Sequence, residues 1–162
     1  MTLLIDFDDG AESDRWRAIH DRVMGGRSEG QLRCENGMAI FSGDLSLANN
    51  GGFASVRREP EALPLAGASG IRLHVRGDGR AYQLRLHTGE AFDGVAYRAI
   101  FETRRDICLT LALPWSGFEP VFRGRVLDAP PLQPAAVQQI GLMTADKQPG
   151  PFCLTLRAIE SY

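Results

Sequence analysis

Ile71-Arg72-Leu73-His74-Val75-Arg76, then Gly77-Asp78-Gly79-Arg80-Ala81, then Tyr82-Gln83-Leu84-Arg85-Leu86-His87 is the stretch that decides the fold class. Ile71, Leu73 and Val75 alternate with Arg72, His74 and Arg76, and Tyr82, Leu84 and Leu86 alternate with Gln83, Arg85 and His87. Successive side chains of an extended chain point to opposite faces, so each run reads as a strand with one apolar and one polar side. Glycine accepts the positive φ of tight turns, and Gly77-Asp78-Gly79 between two such runs predicts a hairpin. On that reading His74 and His87 lie on the polar faces of adjacent strands as solvated residues. Arg72, His74, Arg76, Arg85, His87 and Arg98 are then expected to form a basic stripe on one sheet.

The same period extends outward. Residues 97–103, 107–113 and 152–158 alternate clearly, with Pro114 closing the second run, and weaker strands are expected at 3–7, 31–34, 38–41, 52–57 and 139–144. Helical patterning is confined to a short turn at 134–138, where Pro134 suits a first helical position. Trp115-Ser116-Gly117-Phe118-Glu119-Pro120 reads as an inter-sheet crossover whose Trp and Phe plug one end. Short strands with turn signals between them and no interleaved helices indicate a β-sandwich. With 162 residues and no linker, repeat or low-complexity tract, one domain spanning 1–162 is expected.

Bulk properties narrow the function classes. With 18 Lys and Arg against 20 Asp and Glu, the net charge of −2 supplies no global field for nucleic acid. The first residues lack the basic start and cleavage pattern of a targeting signal, and no apolar run approaches the roughly 20 residues of a membrane span, so membrane insertion is not expected. Cys34, Cys108 and Cys153 are odd in number and widely spaced, which fits reduced thiols in a cytoplasmic protein.

Three glycine-bearing loops carry the candidate binding residues: Asp21, Arg22, Met24, Gly25, Gly26 and Ser28 in the first; Asn50, Gly51, Gly52 and Phe53, with Arg57, in the second; Asp146, Lys147 and Gln148 in the third. Together with Asp78 they are expected at one loop-bearing rim, for contact with a partner or ligand or simply for closing tight turns. An arginine fork can bridge two carboxylates, so Asp21, Arg22, Arg57, Asp78 and Asp146 are expected to tie these loops together. The loop at 21–28 has no Gly-Lys-Ser/Thr ending, which excludes a phosphate-binding P-loop.

Catalysis and metal binding find little support. His20 and Asp21 are sequence neighbours and point apart in a strand. His74 and His87 lack further ligands at zinc spacing. The acidic run Asp6, Asp8, Asp9, Glu12 and Asp14 does not match a calcium loop and reads as a solvated turn. No catalytic residue, metal or cofactor is implied. Trp16 and Trp115 read as anchors at the edge of the core, with sugar stacking as the alternative.

Taken jointly, Trp16, Asp21-Arg22-Val23-Met24-Gly25-Gly26-x-Ser28, Phe41-x-Gly43, Asn50-Gly51-Gly52-Phe53-Ala54-Ser55-x-Arg57, Gly77-Asp78-Gly79-x-x-Tyr82, Tyr97, Phe101, Pro114, Phe122-Arg123-Gly124 and Asp146-Lys147-Gln148-x-Gly150-x-Phe152 resemble the NADH:ubiquinone oxidoreductase complex I intermediate-associated protein family. Each motif is weak; their order and spacing are specific. The resemblance implies a jelly-roll β-sandwich of the galactose-binding-domain-like type. It also implies a non-enzymatic assembly or chaperone-like factor whose partners are respiratory complex subunits or assembly intermediates. The chain starts directly at the domain, as in the short free-standing bacterial members. Likeness to carbohydrate-binding modules leaves a small carbohydrate or other ligand as the alternative partner.

Overall fold

Two antiparallel sheets pack face to face in the computed structural model, which describes residues 2–20, 28–48, 52–88, 95–122 and 125–162. The strands are β1 (Thr2–Leu3), β2 (Trp16–His20), β3 (Glu29–Glu35), β4 (Met38–Leu45), β5 (Ala54–Arg58), β6 (Gly70–Arg76), β7 (Ala81–His87), β8 (Ala96–Glu102), β9 (Cys108–Pro114), β10 (Glu119–Phe122), β11 (Arg125–Val126), β12 (Gln139–Thr144) and β13 (Gly150–Ser161). Among the described residues one sheet has six strands in the order β3-β4-β13-β6-β9, with β1 paired to β13. The other has seven in the order β11-β10-β8-β7-β12-β5-β2. No α-helix occurs among the described residues; Pro134–Ala136 forms a 3-10 turn with proline at its start.

The strand periods explain the core. Ile71, Leu73 and Val75 of β6, Tyr82, Leu84 and Leu86 of β7, Ile140 and Leu142 of β12, and Leu154 and Leu156 of β13 are all buried, each set on the inward side of its strand. Phe41 packs edge-on against Phe152 at 4.9 Å between ring centroids, and Tyr82 stacks beside Phe101 at 6.2 Å, which fills the space between the sheets with aromatic area. The 115–120 segment crosses from β9 in one sheet to β10 in the other, with Phe118 buried and Trp115 packed on the core edge, its indole N–H donating to the Ala68 carbonyl at 2.6 Å. Trp16 is also a core residue.

The expected hairpin at Gly77-Asp78-Gly79 does not form. β6 lies in the six-stranded sheet and β7 in the seven-stranded one, so the turn carries the chain from one sheet to the other. Two alternating strands bury their apolar sides equally well side by side in one sheet or opposed across a core, and alternation alone does not separate the cases. Local chemistry does. A Cβ on Gly77 would sit 2.3 Å from Thr103, so the backbone passes where no side chain fits. The Asp78 carboxylate accepts the Tyr82 hydroxyl at 3.0 Å and the backbone N–H of Cys153 at 2.8 Å, joining β7 to β13 of the opposite sheet. Two corrections follow. His74 and His87 are on different sheets, and the basic stripe divides into Arg72, His74 and Arg76 on one and Arg85, His87 and Arg98 on the other. His87 is not solvated either; only 8% of it is exposed.

At the amino-terminal end, 3–7 is only partly strand, since pairing to β13 stops at Leu3 while Ile5 and Phe7 continue into the core as irregular chain. β2 was not legible as a strand: it lies at a sheet edge, and Arg17, Ala18 and Ile19 lack a clean alternation.

Candidate functional site

The described part of the loop rim comes together around an arginine that sequence reasoning did not select. Arg80 donates to Asp146 at 3.0 Å, to the Gln148 carbonyl at 2.6 Å and to the Pro151 carbonyl at 3.1 Å, and its Nε is 3.8 Å from Asp78. Gln148 N–H donates back to Asp146 at 3.0 Å, and a Cβ on Gly52 would meet Lys147 Nζ at 3.1 Å. Gly52, Asp78, Asp146, Lys147 and Gln148 are thus neighbours, and the arginine-bridged pair of carboxylates exists with Arg80 as its bridge. Burial pushes the Tyr82 phenol well above its usual range, and the adjacent Asp78 carboxylate adds to this. The pair is a neutral hydroxyl donating to a carboxylate, a clasp under the turn. Ser28 is buried, with its hydroxyl accepting from Ser46 N–H at 2.9 Å and donating to the Ser46 carbonyl at 3.1 Å. Phe53 is half-buried. Asp21, Arg22, Met24, Gly25, Gly26, Asn50 and Gly51 lie outside the described residues.

Arg57 is not part of that rim. It stands in mid-strand on β5, opposite Arg17 on one side and Gly141 on the other. A strand exposes alternate residues, and Val56 belongs to the core, so Arg57 is on the outer face of the seven-stranded sheet. The register places a cross-strand row there: Arg17, Arg57, Gly141, Arg85, Arg98 and Glu119. Ile19, Ser55, Met143, Gln83 and Ile100 form the row on one side of it. Gln139, His87, Ala96 and Val121 form the row on the other. No Trp, Tyr or Phe stands in these three rows.

The electrostatics of the middle row are unusual. Arg85 donates to Gln83 Oε1 at 2.9 Å and lies 3.2 Å from Met143 Sδ, neither of which carries charge. Burial, reinforced by Arg98 and Arg57, pulls its guanidinium down to about 10. Burial also pushes His87 down to about 3, with Arg57 and Arg85 contributing, so its ring is neutral in the folded chain. Glu119 reaches Arg98 at 3.0 Å from the far end of the row. Gly141 stands between Arg57 and Arg85 in the row, and a Cβ there would lie 3.0 Å from the Val56 carbonyl and 3.8 Å from the Arg57 stem; a glycine inside a strand often marks such a close approach, a signal that was available in the sequence.

The acidic amino-terminal turn is not simply solvated. Glu12 is buried, with its carboxylate accepting from Arg58 Nε at 2.8 Å, Arg15 at 2.8 Å and the Trp16 indole at 2.8 Å. Burial raises its pKa, but the three donors outweigh burial and hold it below the usual carboxylate range. This is a structural tie. Among the described residues no group of three His, Cys, Asp or Glu is arranged to hold a metal, and Cys34, Cys108 and Cys153 are free thiols. A hydroxyl–imidazole–carboxylate chain, Thr110–His74–Glu160, crosses three strands on the outer face of the six-stranded sheet, lining a shallow groove of about 390 Å³.

Solved structures with the same architecture include a family 11 carbohydrate-binding module from Clostridium thermocellum in complex with a β-1,3-1,4-mixed-linked tetrasaccharide. It is 14% identical, with a TM-score of 0.67, and the match covers 95% of this chain and 94% of that one. A second structure of this family, the module of the C. thermocellum cellulosomal cellulase Lic26A-Cel5E, matches at 14% identity and a TM-score of 0.67 over 98% of this chain and 95% of that one. An agarase, AgWH50C, contains the same fold in 26% of its length, at 10% identity and a TM-score of 0.66 over 100% of this chain. At these identities the likeness establishes the fold. No curated protein matches the chain in sequence. Residues 5–156 match the sequence profile described as complex I intermediate-associated protein 30 (CIA30).

Proposed function

The chain belongs to the complex I intermediate-associated protein 30 family, and on that premise we propose that it is a non-enzymatic binding domain acting as an assembly or chaperone-like factor. Its partner is a respiratory NADH:ubiquinone oxidoreductase, or a similar complex, met as subunits or assembly intermediates. The observation that carries this reading is the extent of the family match, which runs through both sheets from residue 5 to residue 156. The geometry supports the outer face of the seven-stranded sheet as the contact surface. At the rim Asp78, Asp146 and Gln148 are tied up by Arg80, whereas this face combines apolar Ile19, Met143 and Ile100, the last 54% exposed, with a band of guanidinium and amide groups. Apolar area bordered by polar side chains is the composition of a protein contact.

A carbohydrate-binding role is the alternative, favoured by the likeness to carbohydrate-binding modules. The absence of Trp, Tyr and Phe from the three rows argues for the protein partner, because sugar rings are commonly held on aromatic faces. Affinity capture from the native host with the intact chain, read by mass spectrometry, tests the proposal. Enrichment of respiratory-chain subunits supports assembly; enrichment of none, with binding to a neutral oligosaccharide panel instead, replaces it with the alternative.

A further inference from the structure

We propose that the outer edge of β9 is a strand-addition site that takes one extended, uncharged segment of a protein partner. The inference rests on the assembly reading for the class of partner and adds a second surface, a sheet edge, by which that partner is held. The ladder between β6 and β9 shows which backbone groups are open. Gly70 exchanges its backbone bonds with Tyr162, and Trp115 N–H donates to the Ser69 carbonyl at 3.2 Å. Bonded and non-bonded pairs alternate along an antiparallel ladder. Ile71, Leu73 and Val75, opposite Leu113, Leu111 and Leu109, are therefore the residues that bond β6 to β9. The N–H and C=O groups of Cys108, Thr110 and Ala112 consequently point away from β6. Among the described residues no strand pairs with that side of β9 and no loop backbone bonds to it.

The other edge strands are protected. β1 and β11 are each two residues long, and β2 carries Arg17. β3 carries Glu29, Arg33 and Glu35, and its Cys34 N–H is taken by the Ser13 hydroxyl at 2.8 Å. Short length and charge are the means by which edges avoid pairing. Residues 107–114, Ile-Cys-Leu-Thr-Leu-Ala-Leu-Pro, carry no charge, their register with β6 has no bulge, and proline comes only at the end.

Topology and composition select the occupant. β8 and β9 are joined by residues 103–107 and lie beside β7 and β6, so they face each other across the core. β10 and β11 carry the seven-stranded sheet two strands further, and a second sandwich would have to bring its own second layer into that space. A single strand needs only the ~4.8 Å beside β9. Its inward positions would meet half-buried Leu109 and Leu111, next to Ile107, which is 48% exposed. Its outward positions would flank the small, uncharged Cys108, Thr110 and Ala112. Main-chain bonds then supply affinity, and the row of leucines selects apolar residues at alternate positions of an uncharged segment.

The test uses the intact chain and a fluorescein-labelled peptide of alternating valine and threonine, with a lysine pair at one end for solubility, followed by anisotropy up to about 1 mM protein. Binding is expected. It is expected to fall at least tenfold when glutamate replaces each valine, or when the peptide nitrogens on the bonding edge are methylated. At saturation, amide exchange is expected to slow at least tenfold at Cys108, Thr110 and Ala112 and to stay unchanged at Leu109 and Leu111, which are already bonded to β6. Thr110→Pro deletes an N–H that lies outside the β6 ladder, so the fold is expected to persist while binding weakens at least tenfold. Thr110→Ser keeps the N–H and is expected to bind as wild type does. If Thr110→Pro does not fold, the exchange pattern of the wild type decides. No binding, equal binding of the methylated peptide, protection at another edge, or equal binding by folded Thr110→Pro each overturns the proposal. Protection of the same three amides by self-association without peptide overturns it in favour of a second copy. Host capture separates it from the assembly reading: respiratory subunits recovered by a chain that binds no peptide remove the strand site alone. Peptide binding at β9 without any respiratory subunit keeps the strand site and removes the assembly role.

Discussion

Replacing Arg58 with Met tests whether Glu12 is a structural tie. The pair is enclosed, with side chains 6% and 1% exposed, and methionine keeps most of the apolar stem while deleting the guanidinium. Glu12 would keep its hydrogen bonds from Arg15 and Trp16 but lose both contacts with Arg58, at 2.8 and 3.2 Å. Removing one member of a buried ion pair costs about 3–5 kcal/mol, and the surviving donors place this case near ~3 kcal/mol. For a chain of this length that is a fall in melting temperature of about 6–12 °C. The effect has a pH signature. In the wild type Glu12 sits below its unfolded value, so its contribution is fully present above about pH 4.3 and is lost as pH falls through the folded pKa. In Arg58→Met burial gains the upper hand and raises Glu12, so its penalty is greatest at neutral pH and is relieved when acid protonates it. Urea unfolding of both proteins from pH 7 to pH 4 should show the gap narrowing as pH falls. A gap under ~1 kcal/mol at pH 7, or one independent of pH, would refute the reasoning.

Gly43→Ala should cost about 1–3 kcal/mol or more by urea unfolding, since its Cβ would lie 2.0 Å from the Glu29 carbonyl and β3 would have to move; Gly10→Ala, with nothing within 4 Å, should be near neutral. Folding depresses His87 to about 3, so the unfolded chain binds its proton first and stability drains as pH falls below about 6.5, by up to ~1.4 kcal/mol per pH unit. His87→Gln should flatten the dependence of the urea midpoint on pH over that window, and an unchanged slope would show that the ring is not held neutral. Thermal unfolding with and without reductant should coincide, given three free thiols, and a melt lowered by reductant would contradict this.

The all-β class was legible because period-two alternation reports which side of an extended residue is apolar, and that holds wherever the strand finally pairs. Alternation is silent about pairing, which is why the Gly77-Asp78-Gly79 turn read as a hairpin; the Thr103 contact and the Asp78 bond to Cys153 come from residues about 25 and 75 positions away. The rim was half legible. Asp78 and Asp146 were selected from glycine-bearing turns, but Arg80, which directly follows Gly79, was passed over because nothing local shows that its side chain reaches across to Asp146, Gln148 and Pro151. In β5 the sequence offers two adjacent arginines, and composition cannot say which goes inward: Arg58 is drawn in by Glu12, 46 residues earlier, and Arg57 is thereby turned to the outer face. Arg85 and Arg98 were read as part of one basic stripe, but that Arg57, Gly141, Arg85 and Arg98 share a single row needs the register of four strands.

The position of β13 bears on how the protein is made. The last strand in sequence lies at the centre of the six-stranded sheet, paired with β4 and then β1 along one side and with β6 along the other. Until residues 150–161 have left the ribosome, β4 and β6 face an empty lane, with unpaired backbone groups and uncovered apolar side chains at Phe41, Leu73 and Val75. A nascent chain in that state presents open sheet edges, the surfaces on which chains associate wrongly. Completion of the sheet is therefore a late event that joins distant segments and belongs to the slow end of folding for domains of this size. Aggregation during synthesis should accordingly respond to mutations in β13 more strongly than equilibrium stability does.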